Sequence, residues 1–278
     1  MLTMFVRALV LYVLVILLMR LMGKRQIGQL QPFELVFTVI IADLAATPMS
    51  DVGIPLLYGV LPMAHLPCIH YTKEQIDNIL KLFQENGIEN VLALRGDRVE
   101  GMEPAMDFVH AADLISYIRS FGGFDIAGAC YPECHPEAPN MDTDIRHLKE
   151  KVDAGASHLI TQLFFDNDSF YDFRYRAARA GVNVPIEAGI MPVTNRKQIE
   201  RMVTMCGASL PRKFTKMVQR FENNPEALQD AGIAYAIDQI VDLVTDGVDG
   251  IHLYTMNNPY VARKISEAVS GIIKAAPK

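Results

Sequence analysis

The sequence contains no tryptophan, and its four cysteines, Cys68, Cys130, Cys134 and Cys206, are too few and too scattered for a disulfide scaffold. They suit a reducing compartment. Basic charge is not in excess: 26 Lys and Arg stand against 32 Asp and Glu, a net charge of −6. That argues against a general nucleic-acid binder, which normally shows a basic face. No G-x-G-x-x-G occurs, so the glycine-rich phosphate turn of a doubly wound dinucleotide sheet is missing. Charge is also scarce at the front of the chain. Residues 1–63 carry only Arg7, Arg20, Lys24 and Arg25 against Glu34, Asp43 and Asp51.

What stands there instead is apolar. "ALVLYVLVILLM", Ala8 to Met19, is uncharged and lies between Arg7 and Arg20. It is shorter than the ~20 residues of a spanning helix. Met1–Gly23 reaches that length if the two arginines snorkel to the interfaces. "RLMGKRQ" then supplies the charge expected on the cytoplasmic side. No A-x-A-like cleavage site follows, which argues against a secretory signal. A second apolar run, Leu35–Ala42, ends at Asp43. The alternative is a buried helix of a soluble protein. "RLMGKRQIGQLQPFELVFTVIIADLAATPMSDVGIPLLYG" is similar to the opening of the YetF-type bacterial membrane proteins, over their first two helices and part of a third. The resemblance implies apolar, membrane-like helices in residues 1–63 and membrane contact through them.

From Ala64 the pattern changes, and a boundary is expected at Met63–Ala64, with residues 64–278 forming a second domain. Strand-like runs are "AHLPCI", "NVLAL", "DIAGACY", "HLITQLFF", "PIEAGIMPV" and "GIHLYTM". Helical periods cover 72–86, 104–120, 142–154, 168–180, a long region 195–245, and 259–274. Gly87, Gly155 and Gly181 stand where helices close. Repeated strand–helix units with buried-type strands mean a parallel sheet and an α/β fold. There are six units, whereas a β/α barrel has eight in ~250 residues. The fold expected is a TIM-type β/α barrel lacking its first two strand–helix units; a doubly wound sheet is the rival.

Chemistry in such a barrel sits at the C-terminal strand ends. Those ends offer His65, Arg95-Gly96-Asp97, Tyr131 with His135, Gln162, Pro192 and Tyr254-Thr255. Each has a bland reading: a loop ion pair for Arg95 and Asp97, a turn cap for His135, a satisfied core amide for Gln162. Convergence of several is the stronger signal. Asp144, His147 and Lys151 fall on one face of the 142–154 helix, as a solvated face or a phosphate-and-ribose site would place them. "CYPECH" and "CIH" hold zinc-type ligands, but the spacing lies partly along a strand, and no metal is expected.

"HLPC", "ALRGD", "YPECHPE", "LKEKVDAGA", "ITQLFFD", "GIMPVTN" and "HLYTMN" follow one another as in bacterial 5,10-methylenetetrahydrofolate reductase, which residues 64 to about 273 resemble. The resemblance implies a β/α barrel that holds FAD without a Rossmann motif. It implies reduction of 5,10-methylenetetrahydrofolate to 5-methyltetrahydrofolate with NADH or NADPH, in one-carbon metabolism and methionine synthesis. By the same resemblance, His65, Arg95, Gly96, Asp97, Ala111, Tyr131, His135, Ala138, Asp144, His147 and Lys151 match FAD-contacting positions. Asp97 also matches the catalytic residue that meets the pterin. Gln162 matches a contact to folate and nicotinamide, Gln198 a folate contact, and Asn258 a position that is Arg in many members. Glu150 stands at a cofactor position that is often basic. The family's first strands carry "FEFFPP", with the general-acid Glu, and "TYGA"; neither motif occurs here. The implied chain is a cytoplasmic reductase domain, possible as a homo-oligomer, joined to a foreign membrane segment. The rival is a non-catalytic membrane-anchored remnant or chimeric fusion product.

Overall fold

In a computed structural model of the protein, the structure describes residues 63–275, apart from 99–100, 102, 196–198, 200–201 and 204–205. The chain divides into two compact units, residues 1–64 with 88–90 and residues 65–87 with 91–278. The apolar segments Ala8–Met19 and Leu35–Ala42 lie outside the described residues. Among the described residues, no helix is long and apolar enough to cross a membrane.

Among the described residues, six strands form one sheet: β1 (Met63–Pro67), β2 (Asn90–Leu94), β3 (Asp125–Cys130), β4 (His158–Thr161), β5 (Ile186–Ile190) and β6 (Gly250–Leu253). Each pairs with its neighbour in sequence, in the order β1-β2-β3-β4-β5-β6. The β3–β4, β4–β5 and β5–β6 pairs are parallel, with Gly128 opposite Leu159, Ile160 opposite Glu187, and Gly189 opposite His252. Just past β1, the N–H groups of Cys68 and Ile69 donate to the carbonyl of Arg95, so β1 and β2 end at the same rim. All six strands fall on the six strand-like runs. Sequential pairing with a helical crossover after each strand is the arrangement of a β/α barrel.

Among the described residues, the helices that pack on the sheet and its rim include α1 (Lys73–Glu85), α2 (Ala111–Phe121), α3 (Met141–Ala154), α4 (Asn167–Arg179), α5 (Arg212–Phe221), α6 (Pro225–Thr245) and α7 (Pro259–Ala275). Their starts have local causes. Thr72 and Gln75 form a reciprocal capping box at α1. Asn140 accepts from the N–H of Thr143 at α3, and Asp166 from that of Asp168 at α4. Gly87, Gly155 and Gly181 have φ of 69°, 127° and 84°, as helix-closing glycines do.

Two helical expectations change. The helix expected from residue 104 begins at Ala111. The Asp113 carboxylate accepts from the N–H groups of Val109 and His110, and Met106 has φ 63°, so the preceding chain cannot join the helix. The long region 195–245 contains a break after Phe221. Asn224 caps α6 through the N–H of Ala227, and Pro225 opens it.

The main core lies between the sheet and α3, α4, α6 and α7. Leu159, Phe164, Phe170, Ala188, Ile190 and Leu243 are inaccessible in it, and the rings of Phe164 and Phe170 stack at 5.4 Å. Each such large side chain contributes about 1.5–3 kcal/mol of transfer free energy. A second cluster, around Phe165, Met191, Val193 and Phe214, covers the chain beyond β4 and β5. The two clusters leave the polar residues of the strand ends at the rim.

Candidate functional site

Arg95, Gly96 and Asp97 form the turn that leaves β2. Gly96 has φ 86°, and a Cβ there would stand 2.9 Å from the Cβ of Pro67 at the end of β1. Glycine is therefore required for the turn to pack against its neighbouring strand. The Nε2 of His70 lies 3.2 Å from the Asp97 carbonyl and steadies the same turn. The Arg95 guanidinium is mostly shielded, with its side chain 20% exposed. Its Nη1 and Nη2 donate to the two carboxylate oxygens of Glu137 at 2.5 and 2.7 Å, and its Nε donates to the Gly96 carbonyl at 3.1 Å. Arg95 holds the Glu137 carboxyl down at about 2, and Glu137 in turn raises Arg95.

The loop after β3 brings Tyr131, His135 and Ala138 to this turn. The main-chain N–H of His135 donates to Asp144 on α3 at 2.9 Å. Its Nδ1 accepts from the N–H of Glu137 at 3.0 Å, and its ring meets Tyr131 edge-on at 4.6 Å. Burial holds His135 below its ordinary value, and burial pushes the Tyr131 hydroxyl up to about 12. The N–H of Ala138 donates back to the His135 carbonyl. Lys151 reaches from α3 to donate to the Ala129 carbonyl of β3 at 2.8 Å. Desolvation lowers it, while Cys130 and Asp144 oppose that shift.

Arg95, Asp97, Tyr131, His135, Asp144 and Lys151 thus form one electrostatically connected cluster on the β2–β3 side of the rim. The other expected positions spread around it. Ala111 is buried at the first turn of α2. His147 is exposed on α3 and stacks on His110 at 6.4 Å between ring centroids. His65 lies on β1, held below its ordinary value by burial and by His252. Gln162 follows β4; its side-chain carbonyl accepts from the N–H of Leu163 at 2.9 Å. Asn258 caps α7, accepting from the N–H of Val261. Gln198 lies outside the described residues.

The sequence reading missed two partners, Glu137 and His110. Glu137 sits inside the quoted "YPECHPE", but its ion pair is with a residue 42 positions earlier. Only the adjacency of His110 to Ala111 could have drawn attention to it. Cys68, Cys130, Cys134 and Cys206 are free thiols. Among the described residues, no group of three His, Cys, Asp or Glu side chains converges to hold a metal ion.

A sequentially paired β/α sheet with charged and hydrogen-bonding residues gathered at its strand ends is the architecture of barrel-type ligand sites. The chain belongs to the methylenetetrahydrofolate reductase family, whose profile matches residues 53–270. It is 42% identical over 200 residues to the 5,10-methylenetetrahydrofolate reductase of Pectobacterium carotovorum, covering 72% of this chain and 66% of that protein. The Salmonella typhimurium enzyme of the same name is 39% identical over 206 residues, covering 74% and 69%. Methylenetetrahydrofolate reductase (NADH) 1 of Arabidopsis thaliana is 39% identical over 210 residues, covering 70% and 36%. The chain therefore spans about two thirds of the length of these bacterial relatives and about a third of the plant one.

Proposed function

We propose that this chain is a flavin oxidoreductase domain that reduces 5,10-methylenetetrahydrofolate to 5-methyltetrahydrofolate with electrons from NADH or NADPH. The observation that carries the reading is the convergence of Arg95, His135 and Lys151 with Asp97, Asp144 and Tyr131 at one sheet end, on the motifs that mark the family. This donor set fits FAD chemically. A guanidinium and an ammonium match a diphosphate, and carboxylates match ribose hydroxyls. Hydride carriage between nicotinamide and folate is the chemistry FAD supplies when bound.

The chain's own residues bind and orient. Arg95 and Lys151 offset phosphate charge. Asp144 fixes the loop that carries His135 by accepting its N–H. Asp97, at the edge of the site, sets the electrostatic field where flavin and pterin meet. Gln162 orients whichever ring occupies the strand-end face, folate or nicotinamide.

Opening the methylene bridge also requires proton delivery to a folate nitrogen, a task worth ~10²–10⁴-fold for a general acid. The motif "FEFFPP" that supplies this acid in the family is absent from these 278 residues, and the carboxylates of residues 1–63 are Glu34, Asp43 and Asp51. NADH–menadione activity is therefore expected to exceed folate reduction by a wide margin. The test is reconstitution of the purified chain with FAD, followed by assays with menadione and with methylenetetrahydrofolate. A yellow protein active with menadione supports the reading. A colourless protein inactive with both acceptors would return the chain to a non-catalytic remnant.

A further inference from the structure

Arg95 reaches the site with its hydrogen-bonding edges already engaged. The end-on edge, Nη1 and Nη2, grips both oxygens of Glu137, and the Nε that would complete a side-on grip is bonded to the Gly96 carbonyl. A planar carboxylate held by two parallel N–H···O bonds has the geometry in which arginine also receives a phosphate. No two-pronged edge of Arg95 can take a phosphate while this arrangement lasts. The partners differ in exposure: the Arg95 side chain is 20% exposed, and that of Glu137 is 52% exposed. The arginine is the fixed member, and Glu137 is the one with room to leave. Glu137 also sits on the loop held by the His135 and Asp144 contacts, so its departure need not disturb β2.

We propose that Glu137 is a built-in stand-in for the diphosphate of the cofactor: it occupies Arg95 in the ligand-free protein and is exchanged for phosphate on binding. The proposal rests on the reading of Arg95 as a phosphate-binding residue. Its physical reason is the cost of a shielded guanidinium left without a counter-charge. Glu137 meets that cost before the ligand arrives, and the ligand must then displace it. Glu137 thus stabilises the empty site and weakens the filled one. A residue with a merely structural role would support both.

The test uses the full chain and its Glu137→Gln variant, titrated calorimetrically with inorganic pyrophosphate, FAD and riboflavin, with the melting temperature of each ligand-free protein recorded. Exposed ion pairs span about 0.2–1 kcal/mol, which corresponds to a change in affinity of up to about fivefold. The expected result is about two- to fivefold tighter binding of pyrophosphate and FAD by Glu137→Gln. Riboflavin, which has no phosphate, is unchanged, and the ligand-free variant melts at a lower temperature than its parent. The gain disappears when Arg95→Ala is added. Equal or weaker binding of pyrophosphate by Glu137→Gln overturns the exchange, as does a gain that survives Arg95→Ala or an absence of pyrophosphate binding by both proteins. If pyrophosphate responds as expected but neither flavin binds, the exchange stands and the flavin reading falls. If FAD binds equally well to both proteins and pyrophosphate does not respond, the flavin reading stands and the exchange falls.

Discussion

The hydroxyl of Tyr254, just past β6, donates to the main-chain carbonyl of Thr161 at the end of β4, 2.8 Å away and across the intervening strand β5. Thr161 is inaccessible, and its own hydroxyl accepts from the N–H of Gly189 on β5 at 2.8 Å. Three strand ends are thus tied together immediately before Gln162.

Removing the tie with Tyr254→Phe leaves a buried carbonyl without its partner, which costs about 1–3 kcal/mol. The urea midpoint should fall accordingly, with the slope unchanged. A midpoint equal to that of the parent would show that the bond contributes nothing.

Gly189 is the position over which the tyrosine passes. A Cβ there would stand 2.3 Å from the Thr161 carbonyl oxygen and 2.7 Å from Cε2 of Tyr254. Main chain cannot yield as a flexible side chain does, so Gly189→Ala should cost about 3 kcal/mol, the upper end for overpacked cores. Recovery of stability in the double variant Gly189→Ala/Tyr254→Phe would be partial at most, because the carbonyl clash persists. Full recovery would locate the conflict in the ring alone.

Lys151 tests the cofactor reading from the other side of the site. Charge-assisted hydrogen bonds contribute about 1.5–3 kcal/mol, so Lys151→Met should weaken FAD retention by about ten- to a hundredfold. Lys151→Glu should weaken it further, by repulsion. Flavin stoichiometry after gel filtration reads both, with circular dichroism as the folding control. Full retention in Lys151→Glu would remove this lysine from the site.

His135 gives the fold an acid sensitivity. Its folded value is depressed by burial, with Arg95 and Lys151 acting in the same sense and Asp144 and Glu137 against it. The unfolded chain therefore binds the proton more readily than the folded one, and stability rises with pH. The contribution is complete above about pH 6.5, the ordinary histidine value, and is lost as pH falls through the folded value. The melting temperature of the parent should drop more between pH 7.5 and pH 5 than that of His135→Gln. Parallel drops would assign the acid sensitivity to other groups.

The strands were legible because each is a short apolar run between turn residues, and burial on both faces gives such runs their composition. The break at Asn224-Pro225 was passed over by a single helical period drawn through 195–245, although a cap and a proline at the first helical position are local signals that mark it. The late start of α2 was not legible. It depends on Asp113 accepting from two N–H groups upstream, and an apolar period continued over that boundary. Within the site, Asp144 and Lys151 could be placed on one helix face by spacing. The facing of Arg95 with Glu137 could not, because it arises only when β2 and the loop after β3 become neighbours. Asn258 shows the opposite limit. The resemblance implies a substrate contact at this position, where many members have Arg, and the structure gives the Asn258 side chain a local task, capping α7.

Among the described residues, each strand from β2 to β6 pairs with the strand made just before it. Each new strand–helix unit therefore finds its docking edge already in existence when it leaves the ribosome, and never waits for a partner still to be translated. One crossover, rather than the length of the chain, separates the segments that must meet, which keeps the entropy of each closure small. Domains are completed from the N-terminal side during synthesis. In this molecule translation and sheet assembly run in the same direction, one ledge at a time.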